Sequence, residues 1–502
     1  MEKRYILVID QSTSGTKALI VARSGEIVSR SSAEHKQYYP RPGWVEHDPI
    51  EIYERVKQTA EQALQSAGII PDELAAMTLT NQRETAVLWD PITGLPVHPA
   101  IVWQCQRTSE QCARYKLSGL EAKVRSKTGL MLDPYFSATK WAWMLEHAAE
   151  AKEKLADGRL LAGTIDSWLL WKLTGGNMHV TDYSNASRTS LYNIHTLSWD
   201  EELCELFGVP SVLLPEVKFS DDSFGYTGDP DLLNGIRIPI SGIIGDSQAA
   251  LFGNLCFQPG MAKATYGTGT SVLMNIGEKP PATESGLVST VAWGAGGKVI
   301  YALEAIIRTS GDCIKWVRDN LGLFRTFEEM EQLLRETKDS EGVYLVPAFV
   351  GLGAPHWDPD ARASISGINR GTHKSHIIRA ALESIAYQVY DAVQLIEAES
   401  GVPLKELRAD GGATGSQLLM QFQADLLLRP VIKSDVAELS AIGSAYMGGL
   451  GVGFWSSMEE IVSGLSKRQS YVHYSPQMAE KDREAYCLGW QRAVASVLQR
   501  SV

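Results

Sequence analysis

The sequence predicts a mixed α/β protein built from two related domains that face each other across a cleft. The chain has 502 residues, enough for two or more domains with sizeable cores. Each half opens with two apolar runs joined by a turn of small residues, at 5–21 and again at 261–277. Strand-like and helical segments follow in both halves, which is typical of an α/β fold.

The first half begins as an antiparallel ribbon, with strands predicted at 5–9, at 18–21 and from 27 onward. A helix is expected near 49–66, where Asp48 is a suitable N-cap and proline follows at the first helical position. The strand AAMTLT then ends in the polar cluster NQRET. This order of elements predicts an α/β unit opened by a three-stranded meander.

The second half repeats the pattern. After the strand–turn–strand segment, a long helix is expected at 374–400, ended by Gly401. The strand LRAD leads into DGGATGS, and a helix follows at about 416–428, stopped by Pro430. We therefore predict two domains, 1–254 and 255–502, with the boundary between 252 and 260.

The amino-acid composition and net charge limit the classes of function that this chain could have. Hydrophobic residues make up 44% and charged residues 21%, as in soluble globular proteins, and the formal net charge of −12 argues against a general nucleic-acid binder. The six cysteines are scattered without a CxxC pair, so we expect free thiols in a reducing compartment. With neither a signal peptide nor 18 consecutive apolar residues, we expect a cytoplasmic protein without membrane insertion.

Two small-residue turns and one glycine pair suit phosphate binding. The turn at 10–17 could present backbone N–H groups as an anion nest, Lys17 could reach phosphate oxygens, and Asp10 could hold Mg²⁺. A plain polar hairpin turn is the alternative. The turn YGTGT at 266–270 and the segment DGGA at 410–413 would supply contacts from the second half. Neither a Walker A sequence nor GxGxxG is present, so the common P-loop and Rossmann solutions are not in use.

Polar residues at strand ends are the other candidates. Arg83 and Glu84 could form a surface ion pair of little energetic value, or they could bind a polyhydroxy ligand. Trp103 and Tyr135 are more often core residues than ligand contacts. The segment IIGDSQAALFG reads as a buried strand end feeding a helix, with Asp246 expected as a buried carboxylate at the junction.

These elements jointly resemble the sugar-kinase, Hsp70 and actin superfamily, whose members have two actin-like, ribonuclease-H-like domains around a central cleft. More specifically, the chain resembles the FGGY carbohydrate kinases, and among them the glycerol kinases. The resemblance runs in order through essentially the whole chain. The matching stretches are YPRPGWVEHDP, TNQRETAVLWD, AIVWQCQRT, HVTDYSNASRTSLYNIHTL, RIPISGIIGDSQAALFG, GLGAPHWDPDARA and SAIGSAYMGGLGVGFW.

The resemblance implies an ATP-dependent kinase that phosphorylates a terminal hydroxyl of a polyol, first of all glycerol, with Mg²⁺ bound to ATP. Asp246 would be the general base for that hydroxyl. A homodimer or homotetramer is implied as well. The implied glycerol-binding residues are Arg83, Glu84, Trp103, Tyr135 and Asp246.

The resemblance also assigns the nucleotide side. Asp10 matches the magnesium-associated aspartate of these kinases. Lys17 replaces their usual arginine, which keeps the charge but loses bidentate geometry. The first phosphate loop would be Thr13, Ser14 and Lys17, and the other contacts to phosphates and adenosine would be Thr268, Gly311, Gly411, Gly412 and Ser416.

Two departures from glycerol kinases leave the acceptor open. Ser247 stands where they have a glutamine, and Ser271 stands where they have a phenylalanine. Both changes remove bulk and add a hydroxyl to the acceptor side. A four- or five-carbon polyol such as erythritol, threitol or a pentitol, or a ketopentose, is therefore an alternative acceptor. A non-catalytic, actin- or Hsp70-like ATP-driven interaction protein is the remaining alternative.

Overall fold

The computed structural model describes residues 2–281, 286–434, 436, 438–465 and 471–498. The other positions of the predicted domains 1–254 and 255–502 lie outside the described residues. Three large sheets organise the fold, two of six strands in the first half of the chain and one of seven strands in the second half. The elements of the first half are β1 (Tyr5–Gln11), β2 (Gly15–Ala22), β3 (Ile27–Glu34), β4 (Gln37–Tyr38), β5 (Glu46–His47), α1 (Pro49–Ala67), β6 (Leu74–Asn81), β7 (Ala86–Asp90), β8 (Leu95–Pro96), β9 (Ala100–Ile101), α2 (Ser109–Leu117), α3 (Glu121–Thr128), α4 (Ser137–His147), α5 (Ala151–Ala156), β10 (Leu161–Thr164), α6 (Ile165–Leu173), β11 (Val180–Asp182), α7 (Tyr183–Ala186), β12 (Tyr192–Asn193), β13 (Ser198–Trp199), α8 (Glu201–Phe207), β14 (Glu216–Lys218), β15 (Ser223–Tyr226), β16 (Pro239–Gly245) and α9 (Asp246–Gly253).

The second half carries fewer and longer elements. They are β17 (Met261–Tyr266), β18 (Thr270–Gly277), β19 (Val288–Ala295), β20 (Lys298–Ile307), α10 (Gly311–Asp319), α11 (Phe327–Glu336), β21 (Tyr344–Val346), β22 (Ser364–Ser366), α12 (Lys374–Ser400), β23 (Glu406–Asp410), α13 (Gln417–Leu427), β24 (Val431–Ser434), α14 (Leu439–Gly451), α15 (Met458–Leu465), β25 (Tyr471–Tyr474) and α16 (Glu480–Leu498).

The sheet that opens the first half, called the first sheet, and the sheet of the second half, called the second sheet, share the order of five strands. In the first sheet, β1, β2 and β3 form an antiparallel meander, and β6 and then β16 lie parallel to β1 on its other side. In the second sheet, β17, β18 and β20 form the corresponding antiparallel set, β19 pairs with the outer edge of β20, and β23 and then β24 lie parallel to β17. The predicted two-domain α/β fold with matching halves is therefore confirmed.

Helix ends follow the predicted capping chemistry. The Asp48 carboxylate accepts a hydrogen bond from the Ile50 N–H at 2.9 Å, and α1 starts at Pro49 as expected. Gly401 ends α12 in the left-handed region, at φ 67°. The predicted helix 416–428 is one residue shorter at each end, because Ser416 is its N-cap and Leu428 takes a left-handed φ of 53°. None of the described helices is long and apolar enough to cross a membrane.

The thiols also match the expectation. All six cysteines are unpaired, and all six are buried. Burial in apolar surroundings raises the pKa of Cys112 to about 11, so this side chain stays protonated at neutral pH. These thiols therefore contribute to the core as small hydrophobic groups.

One helix of the second half packs on the first sheet. α14 lies against α9 and against strands β16, β6 and β1, with glycines at the closest approach. A Cβ atom on Gly443 would stand 1.8 Å from the carbonyl oxygen of Ala249 in α9. This helix joins the two halves behind the cleft. The division at 254 stays a prediction, because α14 lies beyond it in sequence but covers the first sheet.

We expect Gly443→Ala to destabilise the protein. Its methyl group meets backbone rather than a movable side chain, so the helices must separate, at a cost of roughly 1–3 kcal/mol. Gly464→Ala is the matched control, because Gly464 is also helical but has no atom within 4 Å of the added Cβ. Alanine there should stabilise by up to about 1 kcal/mol through helix propensity. Urea denaturation measures both changes, and equal effects at the two sites would contradict this packing.

Candidate active site

The loop between β6 and β7 carries two buried charges. Arg83 is 6% exposed and Glu84 is 1% exposed. Arg83 Nε lies 3.0 Å from Asp246 Oδ1, and Glu84 Oε1 accepts a hydrogen bond from Arg188 Nε at 2.6 Å. The alternative of a surface ion pair between Arg83 and Glu84 is therefore wrong, since each is buried and has its own partner.

Glu304 reaches this site from β20 of the second sheet. Its Oε2 atom is 3.0 Å from Arg188 Nη1 and 3.5 Å from Arg83 Nη1. Its Oε1 atom accepts a hydrogen bond from the Ser271 hydroxyl at 3.1 Å. The hydroxyl of Ser271 is thus directed at the protein. We refer to Arg83, Glu84, Arg188, Asp246 and Glu304 as the charge network.

The charges in this network support one another. Burial opposes ionisation of Glu304, but the two guanidinium groups hold its pKa at about 2. Burial also opposes the charge on Arg83, whereas the carboxylates of Glu304 and Glu84 raise its pKa. For Glu84, burial raises the pKa, against the opposing effect of Arg188. At neutral pH Glu304 is therefore a carboxylate that fixes two arginine side chains.

The predicted aromatic residues border the network. The rings of Trp103 and Tyr135 meet edge to face with centroids 5.3 Å apart, and both residues are half-buried. Trp103 Nε1 donates to the Thr13 hydroxyl at 2.9 Å, which connects this wall to the first turn. Lys140 Nζ donates to the carbonyl oxygen of Tyr135 at 2.6 Å and so anchors the tyrosine segment. The guanidinium group of Arg188 lies 5.7 Å from the centroid of the Tyr135 ring, so the aromatic pair adjoins the charge network.

Asp246 opens into a cavity between the two halves. It is the first residue of α9, and its side chain is 38% exposed, so the expectation of a buried carboxylate is wrong. The strand before it is buried, but the helix start turns the carboxylate outward into the cleft. We call this space of about 420 Å³ the cleft cavity; it is lined by Asp10, Lys17, Asp246, Ser247, Ala250, Lys263, Thr265, Asp410, Gly411, Val436, Glu438, Leu439 and Ser440.

The first turn reaches the cleft cavity chiefly through Lys17. Its Nζ pairs with Glu438 Oε2 at 2.5 Å, an ion pair that spans the cleft. Thr13 is held by the Trp103 indole, and Ser14 is exposed and lines neither this cavity nor the one described below. The structure therefore places Lys17 in the lining of the cleft cavity and leaves Ser14 outside that lining.

The carboxylate of Asp10 is suited to bind a cation. It is 7% exposed at the edge of the cleft cavity. Burial raises its pKa to about 7, against the effect of Lys17, and the nearby carboxylate of Asp246 adds to the rise. Among the described residues, no three His, Cys, Asp or Glu side chains group as a complete metal site. Magnesium takes one or two carboxylates together with substrate phosphates, so the donors present fit a metal that arrives with a nucleotide.

A second cavity, of about 630 Å³, lies in the second half beside the turn between β17 and β18. Its walls include apolar side chains from α10, α11 and α12, among them Ile314, Met330 and Leu382. The Ser416 hydroxyl at its rim is buried without a hydrogen-bond partner among the described residues. We call it the second-half cavity; the predicted residues that line it are Thr268, Gly311, Gly412 and Ser416.

The two cavities meet at one glycine pair. Gly411 lines the cleft cavity and Gly412 lines the second-half cavity. Gly411 has a φ of 97°, and a Cβ there would stand 2.5 Å from the carbonyl oxygen of Tyr266. Only glycine fits this close approach between the turn and β17. An elongated ligand could therefore pass from one cavity to the other along this turn.

Sequence reasoning missed several residues of this region. Arg188, Lys263 and Glu304 are buried, and Glu438 pairs with Lys17. Gln248 accepts from Arg83 Nη1 at 3.3 Å. The one signal for Glu304 was a lone carboxylate inside the apolar strand YALEAII, a position that requires a charged partner.

Two domain models of one protein family match most of the chain. The N-terminal domain of the FGGY family of carbohydrate kinases matches residues 5–253, and the C-terminal domain of that family matches residues 262–452.

Curated relatives are similar in sequence to this protein along nearly its full length. A glycerol kinase of Carboxydothermus hydrogenoformans is 51% identical over 98% of each chain, and one of Xanthomonas campestris pv. campestris is 49% identical over 99% of each chain. The crystal structure of Plasmodium falciparum glycerol kinase with ADP superposes with a TM-score of 0.94 at 37% identity and covers 99% of each chain. A xylulose kinase from Lactobacillus acidophilus shares the fold, with a TM-score of 0.85 at 20% identity over 97% of this chain and 96% of that one.

Glu304→Gln should destabilise the protein by about 3 kcal/mol at pH 7, because it leaves two buried guanidinium groups without their shared carboxylate. The pKa of Glu304 is lowered from its ordinary 4.5 to about 2, so its stabilisation is complete above pH 4.5 and is lost as the pH falls toward 2. Urea denaturation at pH 7 and pH 3 should show the difference between variant and wild type narrowing in acid.

Glu278→Gln is the control for this experiment, because Glu278 forms an exposed ion pair with Lys298 and is expected to change stability little. A Glu304 variant no less stable than this control, or a difference that widens in acid, would contradict the assignment.

Proposed function

This chain belongs to the FGGY family of carbohydrate kinases, and we propose that it transfers the γ-phosphoryl group of ATP to a terminal hydroxyl of glycerol. It is a phosphotransferase with an alcohol group as acceptor. The observation that carries glycerol as the acceptor is the identity of 49–51% to curated glycerol kinases over 98–99% of the chain. The homodimer or homotetramer implied by the resemblance and the cytoplasmic location expected from the sequence stay predictions.

In this proposal glycerol lies between the charge network and the aromatic pair. Arg83 donates to a hydroxyl oxygen, and Glu84 accepts from a hydroxyl proton. Each is fixed by a separate buried partner, Arg83 by Glu304 and Glu84 by Arg188. Trp103 and Tyr135 pack on the carbon chain, as the apolar part of a small ligand requires. The arrangement orients one terminal hydroxyl toward Asp246.

Asp246 is proposed as the general base. It lines the cleft cavity at the start of α9, and Arg83 fixes its carboxylate at 3.0 Å. In a loose phosphoryl-transfer transition state the proton leaves the attacking hydroxyl late, so a carboxylate suffices as acceptor. Asp246 therefore has two tasks, to orient the hydroxyl and to take its proton.

We propose that ATP occupies the two cavities, with its adenosine in the second-half cavity and its phosphates extending past the glycine pair. Thr268, Gly311, Gly412 and Ser416 would contact the nucleotide, and Gly411 would allow the phosphates to pass close to the backbone. Thr13 and Ser14 form the opposite turn, and Lys17 faces the γ-phosphate from it. The cleft cavity joins these phosphate contacts to Asp246.

Mg²⁺ would be held by Asp10 together with the phosphates of ATP. When bound, it neutralises phosphate charge that develops during transfer. Burial raises the pKa of the Asp10 carboxyl group to about 7, so a cation beside it would favour the charged form. Closure of the two halves around both substrates would exclude water, which otherwise competes with the alcohol as acceptor.

A larger polyol is the second candidate acceptor. Ser247 lines the cleft cavity next to Asp246, and the small side chain of Ser271 lies beside Glu304 rather than filling the site. Both serines leave room where a bulkier side chain would restrict the acceptor. The xylulose kinases are similar in fold alone, so a ketopentose has less support.

A panel of acceptors with ATP and Mg²⁺ decides between these candidates. We expect glycerol to have the highest kcat/KM among glycerol, erythritol, threitol, xylitol, arabinitol and xylulose. A higher kcat/KM for a four- or five-carbon alcohol than for glycerol would identify the larger polyol as the acceptor. ATP turnover that is independent of every acceptor would instead support the actin- or Hsp70-like alternative.

Asp246→Asn should lower kcat by roughly 10²–10⁴-fold, because the amide cannot take the hydroxyl proton. The acceptor KM should change much less, since Arg83, Glu84 and the aromatic rings remain. Asp157→Asn, at an exposed helix end, is the control and should turn over normally. Near-normal turnover of the Asp246 variant at saturating substrates would remove Asp246 from this role.

A further inference from the structure

Lys263 lies on the face of the second sheet that looks into the cleft. In β17 the side chains alternate, so Ala262, Ala264 and Tyr266 enter the core of the second half. Lys263 and Thr265 point the other way and line the cleft cavity. The lysine is therefore placed in the cavity by the strand period, across the cleft from the first turn.

The ammonium group of Lys263 is buried without a counter-ion in contact. The residue is 2% exposed, and the one hydrogen bond that its side chain makes to a described residue runs from Nζ to the Thr265 hydroxyl at 3.0 Å. No carboxylate of the described residues lies within 4 Å of it, whereas Lys17 has Glu438 at 2.5 Å. An ammonium has three donors, and burying its charge unpaired is costly, so Lys263 has donors left for a ligand.

Three carboxylates in the region of Lys263, those of Asp246, Asp410 and Glu304, have other partners. Asp246 contacts Arg83, and Asp410 accepts from the Asn254 side chain at 3.1 Å. Glu304 is held by Arg83 and Arg188, and the charge of Lys263 acts on it only as a weaker neighbour. The position of Lys263 is therefore not explained by a need to neutralise one of these carboxylates.

We propose that Lys263 binds the non-bridging oxygens of the γ-phosphoryl group during its transfer. This inference rests on the proposed kinase function and adds a cation from the second half opposite Asp246. The acceptor oxygen bonds to the γ-phosphorus, the bond from phosphorus to the β,γ-bridging oxygen breaks, and ADP leaves with that oxygen. The hydroxyl proton passes to Asp246, and Lys263 takes no part in the proton transfer. Its charge stabilises the equatorial oxygens in the low-dielectric cavity.

The test separates nucleotide binding from turnover. Calorimetry without acceptor gives the Kd of ADP and of the β,γ-imido analogue of ATP for wild type, Lys263→Met and Lys263→Arg. We expect Lys263→Met to weaken the analogue by about tenfold or more while the Kd of ADP changes less than about twofold. With glycerol as the acceptor, the kcat of Lys263→Met should be lower than that of wild type by roughly 10²–10³-fold. The KM for glycerol should change little. Lys263→Arg should keep the preference for the analogue.

Lys298→Met is the matched control, since Lys298 lies on the same sheet, is exposed and pairs with Glu278. Thermal melts establish folding, and Lys263→Gln carries the comparison if the methionine variant does not fold. Equal weakening of both nucleotides, or unchanged discrimination between them, would overturn the proposal. A wild-type protein that prefers the analogue but leaves glycerol unphosphorylated would refute the proposed acceptor while leaving the result on Lys263 intact.

Discussion

The candidate site depends on the pairing of Glu304 with two arginines at the boundary between the two halves. Glu304 belongs to β20 of the second sheet, whereas Arg83 and Arg188 come from the first half. Burying these charges is expensive unless every one is compensated, so the contact is satisfied only when the halves are together. Because Arg83 in turn holds Asp246, the second half helps to position the proposed base of the first.

A second link between the halves runs behind the cleft. α14 packs on α9 and on the first sheet, while the ion pair of Lys17 and Glu438 spans the open side. Helix α9 begins at Asp246, so the element that carries the proposed base is also the one against which α14 packs. Movement of one half relative to the other would therefore be transmitted to Asp246 and to Lys17. This gives a physical route by which substrate binding and closure of the cleft influence each other.

The sequence predicted much of the architecture because local signals agree with the fold. Alternating apolar runs, the Asp48 cap and the glycine at 401 each act within a few residues, and all were confirmed. The match between the two opening hairpins, β1–β2 and β17–β18, was visible in the sequence as a repeated strand–turn–strand pattern. The predicted glycine and threonine turns fall beside the two cavities for the same reason, since turn chemistry is local.

Long-range pairing could not be predicted in the same way. Lys17 and Glu438 are 421 positions apart, and no local pattern records their contact. Glu304 and Lys263 are single charged residues in apolar strands, and only the assembled sheets show that both face the cleft. The exposure of Asp246 depends on the direction in which α9 leaves the sheet. The apolar residues on either side of Asp246 in the sequence indicate burial and give no information on that direction.

The most direct test of the central claim is a double-mutant cycle on glycerol affinity, measured by calorimetry for wild type, Arg188→Met, Glu304→Gln and the double variant. If Arg188 and Glu304 both act by fixing Arg83 and Glu84, their effects overlap. The double variant should then bind glycerol about as weakly as the weaker single variant, with a coupling free energy of about 1 kcal/mol or more. Losses that add within about 0.5 kcal/mol, or unchanged affinity in both single variants, would contradict the account.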